Sequence, residues 1–133
     1  MVEPGTTHEM RWTVSEEHLA STFGSGLVKV LATPVLVGFC EEACRTMIER
    51  DLPPGQKTVG VSVSLEHTAA TPPGMTVTVR ATLVKIAGRK RVFHVECQDN
   101  AEPIAHGSHT RFVIDSDRFE AGIAAKAAQI DCA

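Results

Sequence analysis

Aromatic residues are scarce in this chain: it has no tyrosine, one tryptophan and five phenylalanines among 133 residues. Proteins that bind single-stranded nucleic acid stack the bases on aromatic side chains, so a platform of that kind is not expected. An excess of basic charge is also missing, since the formal net charge is -3 at pH 7. The composition therefore predicts no positive field that would attract nucleic acid or an anionic membrane surface.

Long apolar runs, export signals and metal motifs are absent as well. No segment approaches the ~20 apolar residues of a membrane span. The opening MVEPGTTHEM has neither the basic nor the apolar part of a secretory signal. No CxxC pair or zinc spacing occurs among the cysteines, which are Cys40, Cys44, Cys97 and Cys132. We therefore predict a cytoplasmic protein with free thiols, no metal and no membrane partner, in which Cys40 and Cys44 fill the core.

The size and balance of the chain are those of one globular domain, with 43% hydrophobic and 22% charged residues. We predict a single domain over residues 1–133, with an N-terminal tail over 1–9 and a helical C-terminal tail over 117–133. The strongest helix signal begins at Thr33, a good N-cap followed by proline, and ends near Arg50, before Leu-Pro-Pro-Gly.

Alternating apolar residues predict strands after that helix, over residues 57–66, 75–87, 91–98 and 103–114, and a short strand before it over 10–14. In the first strand after the helix, Val59, Val61, Val63 and Leu65 are expected to share one face. The helix is apolar over more than half its circumference, so the sheet must wrap around it. This is an α+β hotdog arrangement, a long central helix wrapped by a curved antiparallel sheet.

Glu41 lies at the border of the apolar face of the long helix. A partly buried carboxylate at that border can act as a base or a nucleophile. An i,i+4 ion pair with Arg45 would instead give it a structural role, and the helical wheel leaves both interpretations open. Glu42 points into the polar face and is predicted to be a solvated surface residue.

Two further residues have competing explanations. His67 ends a strand, where catalytic groups often lie, but its position alone favours a turn histidine bonded to nearby backbone. Thr33 has a hydroxyl at a helix N-terminus, where backbone amides can meet an anion or a polarised carbonyl. By sequence alone the capping role of Thr33 is favoured.

The last strand carries His106 and His109, three residues apart and therefore on opposite faces, which makes them a poor metal pair. His109 and Arg111 share a face and are interpreted as ordinary exposed polar residues. The hairpin turn before residue 92 is basic and is normally solvated, although phosphates are the obvious alternative ligand; it consists of Arg89, Lys90 and Arg91.

Three segments resemble the fluoroacetyl-CoA-specific thioesterase-like family of single-hotdog proteins. They are LATPVLVGFCEEACRTM (31–47), VGVSVSLEHTAATPPGMTVTV (59–79) and HGSHTRFVI (106–114). The most distinctive part is HTAATPPG (67–74) with Thr-x7-Glu upstream, and the resemblance covers roughly residues 11–119.

The resemblance implies a homodimer with active sites at the subunit interface, which hydrolyses short acyl-CoA thioesters without a metal. Coenzyme A is then part of the substrate, and no separate cofactor is expected. The matching positions are Thr33, Glu41 and His67 for the catalytic triad, Gly60 near the substrate and Arg111 near the cleft. The basic turn at residues 89–91 becomes the candidate contact for the phosphates of coenzyme A.

Two alternative functions are compatible with a hotdog fold. One is a hotdog dimer that binds an acyl-CoA without hydrolysing it. The other is a hotdog hydratase, which is disfavoured because no Asp-x4-His pair occurs in a hydratase-like motif. Residues 21–30, expected to cover the acyl pocket, are the poorest match to the family, so specificity for fluoroacetyl is not implied.

Overall fold

The structure, a computed structural model, describes residues 2–132 and the side chains of residues 2–130. Its five strands are β1 (Thr7–Thr13), β2 (Gln56–His67), β3 (Thr76–Ala87), β4 (Lys90–Gln98) and β5 (Pro103–Asp115). Its α-helices are a single turn, α1 (Ala20–Phe23), the long α2 (Thr33–Glu49) and the C-terminal α3 (Ser116–Ala127). Short 3-10 turns precede α1 at Glu16–His18 and follow α3 at Ala128–Cys132.

The strands form one antiparallel sheet in the order β1-β3-β4-β5-β2, and α2 packs against β1, β2, β3 and β5. The buried side of α2 carries Leu36, Phe39, Cys40, Ala43, Cys44, Met47 and Ile48. These side chains pack with valines, leucines and Phe93 of the sheet to form one core. A helix with so broad an apolar face needs a sheet beneath it, and the predicted hotdog fold is confirmed.

The N-terminus differs slightly from the prediction, and the C-terminus agrees with it. β1 begins at Thr7, so three residues assigned to the N-terminal tail belong to the sheet. Their alternation was missed because His8 and Glu9 are polar, yet side chains along β1 alternate between exposed and half-buried. The predicted C-terminal helix is present as α3, which has no buried residue.

A β-bulge in β2 overturns the prediction that its valines share one face. Gly60 pairs with Arg111 and Ser62 with Thr110, so Val61 is an extra residue on β2. An extra residue exchanges the two faces of the strand from that point on. Thr58, which precedes the bulge, is buried, whereas Val61 and Val63 are 56% and 41% exposed on a strand whose outer edge is unpaired in the described chain.

Cys40, Cys44 and Cys97 are free and buried, as predicted, whereas the side chain of Cys132 lies outside the described residues. The sulfurs of Cys40 and Cys97 are 3.6 Å apart. Hydrogen bonding to Cys97 and burial raise the pKa of Cys40, so this thiol stays protonated and is not a nucleophile.

Two further features are absent from the described residues. None of the helices there is long and apolar enough to cross a membrane. No group of three metal-ligating side chains comes together within the same part of the chain.

Candidate active site

Thr33 and His67 meet at the N-terminus of α2. The Thr33 hydroxyl lies 2.8 Å from His67 Nδ1. Thr33 is the first helical residue rather than the N-cap, which is Ala32, so the predicted capping role is wrong. Its hydroxyl is therefore available to His67, and the first N–H groups of the helix have no intrahelical acceptor.

The segment after β2 holds His67 against the helix. Thr68 N–H donates to the carbonyl of Ile104 on β5 (2.7 Å), and Leu31 N–H, just before α2, donates to the carbonyl of Thr71 (2.9 Å). The Thr71 hydroxyl donates in turn to the buried carboxylate of Asp99 (2.8 Å). The HTAATPPG segment therefore has a structural role, because its hydrogen bonds connect the end of β2 to the start of α2.

His67 is half-buried, and burial lowers the pKa of its imidazole. The ring is therefore neutral near pH 7. Its Nε2 atom is inaccessible to solvent and has no hydrogen-bond partner among the described residues. Beside it lies a shallow depression of about 290 Å³, lined mainly by small apolar residues of the α1 region and of the segment after β2.

Glu41 lies two turns further along α2, against β2 and β5. A Cβ atom built on Gly60 would come 2.8 Å from Glu41 Oε2, so any side chain at this position would force the carboxylate to move. The same position would be 3.3 Å from the His109 ring and 3.4 Å from Arg111 Nη1. The structure therefore brings Glu41, Gly60 and Arg111 together, with His109 as a fourth member.

Arg111, not Arg45, is the cation beside Glu41. Arg111 Nη1 is 3.9 Å from Glu41 Oε2, whereas Arg45 pairs with Glu49 at 3.4 Å. Helical spacing suggested Arg45 but could not show that a neighbouring carboxylate competes for it. At 3.9 Å the contact with Arg111 is longer than the ~2.7–2.9 Å of a charge-assisted hydrogen bond.

Arg111 and His109 are buried, with 5% and 2% of their surface exposed, so their interpretation as exposed residues is wrong. Arg111 donates from Nε to the Thr58 hydroxyl (2.9 Å) and from Nη2 to the Thr58 carbonyl (3.0 Å). Glu49 Oε2 accepts hydrogen bonds from both the N–H and the hydroxyl of Thr58, each at 2.8 Å. The guanidinium is thus fixed by a chain of contacts that begins on α2.

The basic turn lies at the Arg111 end of the sheet, because Arg91 pairs with Arg111 across β4 and β5. Arg89 pairs with Asp115 at 3.2 Å, and Arg91 Nη1 donates to the Gly88 carbonyl at 2.6 Å. Lys90 is exposed. No contact in the described chain joins the turn to Glu41 or His67, so its role toward coenzyme A stays a prediction.

The candidate residues form two groups within one chain. Thr33 and Glu41 are eight residues apart on α2, about 12 Å along the helix axis. Gly60, which contacts Glu41, and His67 are seven residues apart on β2, about 20 Å along the strand. The Thr33–His67 pair and the Glu41–Arg111 pair therefore occupy different ends of the α2–β2 contact.

The comparison with known proteins decides the family. A family model described as fluoroacetyl-CoA-specific thioesterase matches residues 14–117. The fluoroacetyl-CoA thioesterase of Streptantibioticus cattleyicolor is 40% identical over 98 residues, which are 74% of this chain and 70% of that protein. The chain belongs to the fluoroacetyl-CoA-specific thioesterase family. The predicted family and the predicted thioester hydrolase class are thereby confirmed.

Solved structures of the fluoroacetyl-CoA-specific thioesterase extend this similarity to the whole fold. One has a TM-score of 0.90 and 31% identity, and covers 95% of this chain and 98% of that chain. A variant of the same enzyme, solved with fluoroacetate and CoA, has a TM-score of 0.85 and 31% identity, and covers 89% of this chain and 99% of that chain.

The sequence did not predict three groups that hold Arg111 and His109 beside Glu41 in this family member. They are Thr58, the Ser62 carbonyl and the His109 ring itself. Thr58 and Ser62 looked like the polar side of an amphipathic strand. The one available signal was Gly60 itself, because a glycine inside a strand often marks a bulge or a close approach by another group.

Proposed function

We propose that this protein hydrolyses a short-chain acyl-CoA thioester without a metal, with Thr33, Glu41 and His67 as catalytic residues. One observation carries the proposal: a carboxylate, Glu41, lies against a glycine at an open sheet edge, beside a cation that does not form a close ion pair with it. The carboxylate is thus accessible, with 44% of its side chain exposed, which suits a base or a nucleophile.

The chemistry can follow either of two routes. Glu41 can attack the carbonyl carbon, in which case the C–S bond breaks, the CoA thiolate leaves and takes a proton, and water hydrolyses the resulting anhydride. Alternatively, Glu41 takes a proton from water and the hydroxide attacks the same carbon, after which the C–S bond breaks and the leaving CoA thiolate takes the proton from Glu41. In both routes the developing oxyanion needs donors, and we assign this role to the N–H groups at the start of α2 and to the Thr33–His67 pair.

We infer that one site is built from two subunits. Two β2 edges paired across a twofold axis perpendicular to the strands run antiparallel, so the His67 end of one β2 would lie beside the Gly60 end of its copy. Pairing of this kind would cover the unpaired edge of β2 and its exposed valines, Val61 and Val63, which are a liability in a monomer. It would also bring Glu41 of one subunit towards the Thr33–His67 pair of the other. Sedimentation as a monomer at micromolar concentration would contradict this arrangement.

Mixed dimers test the proposal directly. Glu41→Gln and His67→Ala homodimers are each expected to be nearly inactive. If the site is shared, random exchange makes half of the dimers mixed, and each mixed dimer has one intact site, so activity returns to about one quarter of the wild-type value. If all three residues act within one chain, no mixture regains activity.

The substrate assay is release of free thiol from a panel that includes acetyl-CoA, fluoroacetyl-CoA and longer short-chain acyl-CoAs. Turnover of any of them well above background supports hydrolysis. Binding without turnover across the panel would favour the protein that only binds an acyl-CoA. The turn of Arg89, Lys90 and Arg91 is proposed to contact the phosphates of coenzyme A, and the cytoplasmic location remains a prediction.

A further inference from the structure

His109 has its protonation fixed by its two neighbours. Its Nδ1 lies 2.8 Å from the Ser62 carbonyl oxygen, which can only accept, so Nδ1 carries the hydrogen. Its Nε2 lies 3.1 Å from Arg111 Nη1, which can only donate, so Nε2 is unprotonated. The imidazole is therefore neutral and is held as a single tautomer.

The β-bulge makes this arrangement possible. The bulge at Val61 turns the Ser62 carbonyl towards the His109 ring, on the side of the sheet that α2 covers. Bulges next to active sites commonly redirect groups in this way. Phe93 packs beside the imidazole, with ring centroids 6.2 Å apart, so the ring has little freedom to rotate.

We propose that His109 is a positioning residue, whose neutral Nε2 holds Arg111 Nη1 away from a close ion pair with Glu41. The proposal rests on the catalytic role of Glu41 proposed above. The same nitrogen, Nη1, lies 3.1 Å from the imidazole and 3.9 Å from the carboxylate. The other hydrogen bonds of the guanidinium, to Thr58, are made by Nε and Nη2, so within the described chain Nη1 is hydrogen-bonded to His109.

Loss of the imidazole acceptor would remove the neutral partner that Nη1 has among the described residues. A buried donor without a partner is costly, so Nη1 would move towards the nearest acceptor, the Glu41 carboxylate. A close cation favours the ionised carboxylate and makes it a weaker base and nucleophile. His109 would therefore keep Glu41 reactive by satisfying Arg111.

Few other charges compete for Glu41. β5 contributes Arg111 and His109, and β2 contributes the uncharged Thr58 and Gly60. The thiols that interact with the Glu41 charge are Cys40 and Cys44 of α2. Burial raises the pKa of Cys44 to about 12, so it stays neutral. Among the described residues, Arg111 is thus the cation within 4 Å of the Glu41 carboxylate, while Arg45 of α2 pairs with Glu49.

Two matched variants separate the two hydrogen bonds of the imidazole. In His109→Asn the amide reaches only the position of Nδ1, so it can bond the Ser62 carbonyl but not Arg111. In His109→Gln the amide oxygen reaches the position of Nε2 and can accept from Arg111. Both replacements are polar and of similar size, and melting temperatures show that each variant is folded.

We expect kcat of His109→Asn to fall about tenfold or more, since displacement of a reacting group by about 1 Å can cost 10²-fold. KM should change little, and the acidic limb of the kcat–pH profile should move to lower pH. His109→Gln should keep kcat and the pH profile near the wild-type values. Equal losses in both variants, or no loss in His109→Asn, would overturn the proposal.

A crystal structure of His109→Asn gives a result that does not depend on activity. The proposal requires the separation of Arg111 Nη1 and Glu41 Oε2 to shorten from 3.9 Å to hydrogen-bond distance. An unchanged separation would overturn the role of His109 and leave the thioesterase proposal intact. Full activity of Glu41→Gln would instead overturn the catalytic role of Glu41, whatever the position of Arg111.

Discussion

Glu41→Gln is the substitution that best separates catalysis from structure in this protein. Glutamine keeps the size and most of the hydrogen-bonding capacity of glutamate but cannot accept a proton or attack a carbonyl. The Glu41 side chain is 44% exposed and 3.9 Å from Arg111, so solvent screens the ion pair that the substitution removes. Arg111 keeps its bonds to Thr58 and His109.

The expected magnitudes differ enough to decide between the two roles. Loss of a screened ion pair of this kind costs about 0–1 kcal/mol of unfolding free energy, which is a shift of a few degrees in melting temperature. Loss of a catalytic base costs about 10²–10⁴ in rate, equivalent to about 2.7–5.5 kcal/mol of activation free energy. A catalytic Glu41 therefore predicts a large fall in kcat with a nearly unchanged melting curve.

The measurement is thiol release from the best acyl-CoA found, together with thermal unfolding of the same preparations. The matched control is Glu42→Gln, which removes an exposed carboxylate next to Glu41 on the same helix. It should leave both kcat and the melting temperature near the wild-type values. Near-full activity of Glu41→Gln, or an equal loss in Glu42→Gln, would refute the assignment of Glu41.

Replacing Arg89, Lys90 and Arg91 by alanine should raise KM for acyl-CoA in the thiol-release assay and leave kcat nearly unchanged, because contacts to the CoA phosphates act equally in the ground and transition states. An unaltered KM removes this turn from the binding site. Thr33→Val should lower kcat while Thr33→Ser retains it, and neither should shift the melting temperature much, because the hydroxyl is exposed and caps no helix. A lower melting temperature with unchanged kcat would restore the capping role. Asp99→Asn should lower the free energy of unfolding by about 1–3 kcal/mol, because a buried carboxylate that accepts three hydrogen bonds is lost. Burial raises the pKa of Asp99, but those hydrogen bonds outweigh it and hold the pKa below its usual value. In denaturant titrations the difference from wild type should therefore be constant near neutral pH and shrink below about pH 4, and a difference that grows in acid would contradict this account.

The order of elements was predictable because each strong signal is local. Thr-Pro and Pro-Pro-Gly delimit α2, and four alternating segments separated by turn residues give β2 to β5. The breadth of the apolar face of α2 was enough to require a surrounding sheet. Signals of this kind depend only on neighbours within a few residues, so tertiary contacts did not override them.

Of the candidate site, the sequence predicted only those residues whose type and position match the motifs of the family. Helical spacing placed Glu41 at the border of the apolar face but gave Arg45 as its partner, while the cation that faces it, Arg111, is 70 positions away in sequence. The burial of His109 follows the alternation of β5, where Arg111 and Val113 are buried on the same face, but its polar side chain favoured an exposed position. The inserted residue at Val61 changed which side chains of β2 lie opposite β5.

Dimer formation and catalysis are both expected to require that a second subunit cover the edge of β2. In a single chain, water reaches Glu41 across an unpaired strand edge, where Val61 and Val63 are exposed. A thioesterase gains from a site that excludes bulk water, because hydrogen bonds to a developing oxyanion are worth more there. A second copy paired along β2 would cover the valines, shield Glu41 and supply the Thr33–His67 pair in one step. We therefore expect activity per subunit to fall on dilution, at the concentration where sedimentation shows the dimer dissociating. Activity that stays constant through that dissociation would mean that one chain contains a complete site.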